Sequence, residues 1–364
     1  MSVSFADAFR GRPVLVTGHT GFKGSWLSLW LTRLGARVSG YALPPPTRPS
    51  LFEAGGVRSR LADHREADIR DRPALRAALA AAAPDVVFHL AAQPIVRRSY
   101  AAPLETFDVN VMGTAALLDA VRELGLRCAV VVVTSDKCYE NREPSRPRRE
   151  SDRLGGDDPY SASKAAAEIV VESYRRSFFP PGDAARHGVR LATARAGNVV
   201  GGGDWAEDRI VPDCVRALGD ARPVAVRNSG SRRPWQHVLE PLAGYLTLAD
   251  ALLGPEAPRF AEAWNFGPRP DDEATVREVV EAFLGEWGDG TWAERPEPGA
   301  PAEAARLRLS IDAAVERLGW SPRWALDETV RRTARWYRRH ADTGGAPGAM
   351  EEACLAEIAD YEAA

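Results

Sequence analysis

Short apolar runs alternate along the first half of the chain with longer stretches in which apolar residues return every three or four positions. Pro13-Val-Leu-Val-Thr17 reads as a buried strand, and Trp26, Leu27, Trp30, Leu31 and Leu34 behind it fall at helical spacing. Arg37–Tyr41, Glu66–Ile69, Asp85–Leu90 and Cys128–Thr134 supply four further strands, with helical patterns in the gaps. Apolar strands separated by helices of about 10 to 15 residues predict a parallel sheet covered on both faces, a doubly wound α/β arrangement. Beyond Val200 the rhythm turns irregular: Gly201-Gly-Gly203, many prolines and the tryptophans Trp320, Trp324 and Trp336 predict a smaller, mixed C-terminal lobe. Pro44-Pro-Pro46, Pro144–Pro147 and Glu294–Pro301 read as loops, and a turn and short acidic helix follow Gly344.

Composition narrows the classes. A hydrophobic share of 45% over 364 residues is enough for a sizeable core, and the near balance of 47 basic against 50 acidic residues offers no footprint for nucleic acid or an anionic membrane. Apolar runs such as Ser25–Leu34 fall short of the roughly 20 residues a membrane helix needs, and Met1–Phe9 lacks a signal-peptide pattern, so a cytoplasmic protein is expected. Cys128, Cys138, Cys214 and Cys354 form no CxxC pair and the histidines are dispersed, so no protein-held metal is expected.

Candidate chemistry begins at Thr17-Gly18-His-Thr-Gly21-Phe-Lys-Gly24, where glycines three apart follow a strand and open a helix. That context suits a dinucleotide: small residues admit the pyrophosphate, and the helix N-terminus stabilises its charge. An acidic residue for the adenosine ribose is expected at the end of the second strand, yet Gly40-Tyr41-Ala42-Leu43 has none and Arg48 lies close, so NAD and NADP both stay open. Asp68 and Ile69 are candidates for the adenine edge. Farther on, Tyr160-Ser-Ala-Ser-Lys164 places a phenol and an ammonium on one helical face if the helix starts near Asp158. An adjacent cation is expected to lower the phenol from its usual value near about 10 and make it a base.

These motifs, with His89-Leu90-Ala91-Ala92-Gln93, Thr134-Ser135 and Arg195-Ala-Gly-Asn198 in the same order, resemble the extended short-chain dehydrogenase/reductase superfamily over almost the whole chain. Thr134–Asn141, Asp158–Lys164, Ala194–Asp213, Arg233–Tyr245 and Trp264–Pro268 resemble its sugar-nucleotide 4,6-dehydratases. Ser135-Asp136-Lys137, in place of the commoner Thr-Asp-Glu, is similar to their CDP-glucose branch.

The resemblance implies a Rossmann-type fold with residues 1–198 mainly dinucleotide-binding and 199–364 mainly substrate-binding, about 235–262 returning to the first unit. It implies NAD as cofactor, held by Gly18, Thr20, Gly21, Phe22, Lys23, Gly24, Asp68, Ile69, Leu90, Ala91 and Ala92 with Tyr160 and Lys164, and a homodimer or a pair of dimers. Tyr160 would take the C4 hydroxyl proton as a hydride leaves C4, acidifying C5. Ser135 would bind the C4 oxygen, Asp136 act as acid at C6 and Lys137 as base at C5. Those last two roles call for a raised carboxyl and a lowered ammonium. Asn198 and Arg233 would approach the sugar and diphosphate, with Gln93, Asp204, Trp205, Arg209 and His237 as secondary contacts. The nearest alternative is a 4-epimerase or decarboxylase of the same superfamily, and a non-catalytic dinucleotide binder is the alternative of another class. Nothing in the residues reads cytosine against uracil or thymine.

Overall fold

The computed structural model describes residues 6–140, 146–269, 272–296 and 307–364. Part of the loop expected at Pro144–Pro147, most of that at Glu294–Pro301, and Asn141 lie outside them. Seven parallel strands form the central sheet: β1 (Pro13–Thr17), β2 (Arg37–Ala42), β3 (Asp63–Glu66), β4 (Val86–His89), β5 (Ala129–Val133), β6 (Arg190–Ala196) and the strand Ala263–Phe266. Their spatial order is Ala263–Phe266, β6, β5, β4, β1, β2, β3, so the winding reverses between β1 and β4. Such a reversal opens a crevice at the carboxyl ends of the strands.

Alternation along the strands builds two cores. Val14, Val16, Ala129, Val131 and Val133 face the helices Phe22–Arg33 and Leu239–Leu253, whereas Leu15, Val130 and Val132 face Arg72–Ala82, Gly113–Glu123 and Pro159–Ser177. The helix Leu239–Leu253 lies against β5 and β6. Most of the C-terminal part is assembled from three two-stranded pairings and the helices Ile210–Gly219, Val276–Trp287 and Leu326–Asp342. Trp26, Trp30, Trp264, Trp320, Trp324 and Trp336 are all buried, and the Trp26 indole donates to Gly202 O at 2.9 Å, tying the glycine-loop helix to the Gly-rich segment.

Two elements differ from expectation. The third strand ends at Glu66 rather than starting there, because its residues Asp63-His-Arg-Glu66 pair with β2 at the sheet edge and need no apolar run, leaving Ala67–Ile69 free to line the crevice. The terminal helix is long, Pro347–Ala363, and buries Met350, Cys354, Ile358 and Tyr361. It packs on the helix Phe22–Arg33, with Trp30 donating to Glu362 Oε1 at 2.9 Å.

Candidate functional site

At the reversal point a cleft of about 890 Å³ runs from the glycine loop to Arg227 and Arg233, large enough for two extended ligands end to end. Gly18 closes its floor with φ +76°, and a Cβ there would lie 2.7 Å from Ala91 N, so only glycine lets the loops after β1 and β4 touch. Gly24 is equally constrained: its Cβ would sit 2.2 Å from Gly18 O. Gly21 differs, since its added Cβ meets only Gly18 O at 3.4 Å and otherwise points into open space.

Ser135 leaves β5 in an extended conformation and caps a single 3-10 turn, Asp136–Cys138, by accepting from Lys137 N at 3.2 Å. Its hydroxyl donates to Asp136 Oδ1 at 2.9 Å, and Asn198 Nδ2 donates to Asp136 Oδ2 at 3.3 Å. Gly197 permits this approach, because a Cβ there would fall 2.1 Å from the Asp136 carboxyl. The helix Pro159–Ser177 starts where expected: Asp158 accepts from Ser161 N and Pro159 occupies the first turn. Tyr160 and Lys164 therefore share a face and both line the cleft.

Their electrostatics correct one expectation. Burial pushes the Tyr160 phenol up to about 12, partly offset by its hydrogen bond to Ser135, instead of a neighbouring cation pulling it down. Lys164 is itself lowered to about 8 by burial, which weakens it as a fixed positive charge. Lys23 is lowered to about 7 by burial and then by Arg209 and Lys164.

Every cofactor, catalytic and substrate residue that the resemblance implies lines the cleft except Gln93 and His237, and Arg48 lies off it as well. Gln93 is buried under the loop after β4, its amide donating to Thr106 at 2.9 Å and accepting from Ile95 N at 2.6 Å. His237 is fully buried between Trp26 and Trp324, with Nε2 2.8 Å from Glu357 Oε1. Both are joints of the scaffold. Asp68 reaches the cleft, its carboxyl held below the ordinary range chiefly by Arg70 at 2.6 Å. Asp204 pairs with Arg209 at 2.7 Å on the opposite wall.

Sequence reasoning missed two buried supports. Asn110, in the π-helical turn Asp108–Met112, accepts from Gln93 N at 2.8 Å and donates to Ser163 Oγ at 2.8 Å, locking the β4 loop to the Tyr160 helix. Glu168, one turn beyond Lys164, accepts from Thr134, Thr193 and Arg195 at 2.5, 2.8 and 2.7 Å. Burial opposes its charge, but Arg195 and the two hydroxyls hold it below the usual carboxylate range. The polar Asn110 set between Val109 and Val111 was the available signal for the first. For Glu168 it was the spacing from Lys164.

The profile of the NAD dependent epimerase/dehydratase family matches residues 14–262, which spans the sheet, the glycine loop and the Tyr160 helix. The chain belongs to that family. This epimerase/dehydratase is 51% identical over 331 residues to a CDP-glucose 4,6-dehydratase of Salmonella typhimurium, covering 91% of each chain. Among solved structures it is similar to a UDP-glucose 4-epimerase of Stenotrophomonas maltophila with bound NAD, at TM-score 0.78 and 25% identity over 91% of this chain and 99% of that one. It also resembles a dTDP-glucose 4,6-dehydratase of Streptomyces venezuelae with NAD and TYD bound, at TM-score 0.73 and 26% identity, covering 91% and 98%. In this family member no group of three His, Cys, Asp or Glu side chains among the described residues is arranged to hold a metal. No helix among them is long and apolar enough to cross a membrane.

Proposed function

We infer that the protein is a sugar-nucleotide 4,6-dehydratase that converts CDP-glucose to CDP-4-keto-6-deoxyglucose. The observation that carries this reading is the meeting of two proton-transfer sets in one cleft: Ser135, Tyr160 and Lys164 on one side, Asp136 and Lys137 beside them. An epimerase needs only the first set. The cytidine nucleotide is supported by the 51% identity to the Salmonella enzyme.

The residues present fit NAD. Gly21 leaves space where a pyrophosphate is expected, and the adenosine end is lined by Leu43, Pro44, Pro46, Thr47 and Asp68 without a cation, Arg48 being exposed and off the wall. Such a lining suits a ribose hydroxyl and offers nothing to a 2′-phosphate. When bound, NAD supplies hydride acceptance at C4 and hydride return at C6. Tyr160 takes the proton of the C4 hydroxyl while Ser135 orients that oxygen. The C4 ketone makes the C5 proton removable by Lys137, and Asp136 protonates the departing C6 oxygen. Lys164 holds the cofactor beside Tyr160, and Asn198, Arg209 and Arg233 take the sugar and diphosphate, a role suited to the arginine fork. Incubation with CDP-glucose should generate a product with the alkali-induced absorbance of a 4-keto-6-deoxy sugar. Interconversion with CDP-galactose and no such product would replace this reading with epimerisation.

For assembly, the exposed apolar side chains Leu104, Met112 and Ile169, at 84%, 45% and 59% exposure, lie on neighbouring helical segments flanking the sheet. We infer a homodimer through this face, and four free, buried cysteines suit work in a reducing cytoplasm.

A further inference from the structure

Resting on the 4,6-dehydratase reading, we propose that Arg97 and Arg227 form a second clamp on the diphosphate of the nucleotide sugar, and that the Asp208 carboxylate fills this clamp until the diphosphate displaces it.

The two arginines reach the cleft from different parts of the fold. Arg97 lies in the short helix Val96–Ala101 behind β4, Arg227 follows the strand Val224–Val226 of the C-terminal part, and both line the cleft. They converge on one atom. Arg227 Nη1 donates to Asp208 Oδ1 at 2.7 Å, and Arg97 Nη1 stands 3.5 Å from the same oxygen. Arg98, next in the chain, turns instead to Glu105 at 3.0 Å and does not line the cleft. Asp208 offers the pair a single negative charge and two oxygens. A diphosphate linking a sugar to a nucleoside offers two charges and more oxygens, in the geometry that a guanidinium fork receives bidentately.

Burial decides which pairing can open. Asp204 and Asp208 each pair with an arginine on the same wall, but the Asp204 side chain is only 6% exposed, so parting it from Arg209 would strand a buried carboxylate. Asp208, Arg97 and Arg227 are 33%, 30% and 34% exposed. Water replaces a lost partner at such sites, and an ion pair there contributes little. Asp208 is therefore a partner that costs little to displace. Its backbone is left-handed, φ +61°, a conformation that aspartate and asparagine accept more readily than most residues.

The clamp is held in register with the chemistry. Ser99, two residues after Arg97, accepts from Tyr160 N at 3.1 Å, which fixes the Arg97 helix against the start of the helix that carries the phenol. On the other side, Val226 O accepts from Arg295 N at 2.7 Å, and Val224–Val226 pairs with Trp292–Glu294, so the strand before Arg227 is braced. Both arginines meet at the end of the cleft away from the glycine loop. The loop serves the dinucleotide, so the diphosphate received here is that of the nucleotide sugar.

Calorimetric titration of the full chain with CDP, UDP and NAD separates a displaceable clamp from a structural joint. Asp208→Asn keeps a residue suited to the left-handed turn and removes the competing charge, so CDP and UDP should bind about 3- to 10-fold more tightly. Arg97→Gln and Arg227→Gln should each weaken both nucleotides about tenfold or more. Opposite signs from the two sides of one ion pair mark displacement, because a joint that merely holds the walls together loses affinity from either side. Glu207→Gln, a charge change on the same wall outside the bridge, should shift affinity by less than about twofold. An equal gain in that variant would reduce the effect to general charge and overturn the clamp. Asp208→Asn protein that binds CDP no better than wild type would overturn it as well, and so would a loss of NAD affinity in the arginine variants matching the loss of CDP. If an arginine variant does not fold, the sign of the Asp208→Asn change still decides. Wild-type protein that binds both nucleotides with this pattern yet makes no ketone from CDP-glucose would remove the dehydratase reading and leave the clamp standing.

Discussion

Alanine at Gly18 and alanine at Gly21 should fail in different ways, although both glycines belong to the same loop. At Gly18 the backbone is left-handed, φ +76°, and the new methyl would meet Ala91 N at 2.7 Å and Leu90 C at 2.8 Å, both rigid backbone. The left-handed conformation costs about 1 to 2 kcal/mol and overpacking about 1 to 3 kcal/mol more. Spread over the unfolding entropy of a chain this long, that lowers Tm by about 3 to 7 °C. Gly21 sits at φ −78° and ψ 170°, open to any residue, and its methyl would project into the cleft. Gly21→Ala should therefore keep the wild-type Tm to within about 1 °C while weakening NAD binding by about 5- to 150-fold, the equivalent of a 1 to 3 kcal/mol clash. Thermal unfolding by circular dichroism and calorimetric titration with NAD measure the two quantities on each variant. A Gly21→Ala protein less stable than Gly18→Ala, or one that binds NAD normally, would refute the assignment of Gly21 to the cofactor surface.

Three further outcomes follow from the same geometry. Tyr160→Phe removes one hydroxyl from a packed side chain, so the fold should survive while turnover falls about 10²- to 10⁴-fold; near-normal turnover would dismiss Tyr160 as the base. Lys137→Met should leave reduction of the cofactor visible in a single turnover but block formation of the deoxy sugar, and normal product would move the C5 base elsewhere. Lys23 should make stability pH-dependent: its folded pKa of about 7 lies below the unfolded value, so the cost of burying its charge is full below that pH and fades as pH rises toward about 10. Lys23→Met should accordingly raise Tm most at pH 6 and little near pH 10, whereas a gain independent of pH would point to packing alone.

Legibility in the sequence followed apolar contrast. β1, β2, β4 and β5 were readable to within a residue at each end, β1, β4 and β5 because each is an apolar run buried on both faces and β2 because the buried Val38, Gly40, Tyr41 and Ala42 follow an exposed Arg37. β3 was displaced because an edge strand made of Asp63-His-Arg-Glu66 carries no such signal. The terminal helix was underestimated: Met350, Cys354, Ile358 and Tyr361 do recur at helical spacing, but they are diluted among Ala and Glu. In the site, motifs located the cleft-lining residues, since loops after parallel strands must meet at the reversal of winding. They did not say where a side chain points. Gln93 and His237 look like ligands by residue type, yet Thr106 and Ile95 engage one and a tryptophan-walled interior holds the other. The upward shift of Tyr160 was likewise hidden, because four-residue spacing shows that a cation is near but not how dry both groups become.

The central claim is that a hydride removed from C4 comes back to the same sugar at C6. CDP-glucose carrying deuterium at C4 tests it directly, with the product examined by mass spectrometry and NMR. The account predicts a product lighter by one water with the deuterium in the C6 methyl group and undiluted by added unlabelled NADH. Deuterium retained at C4, or lost to the medium, would contradict it.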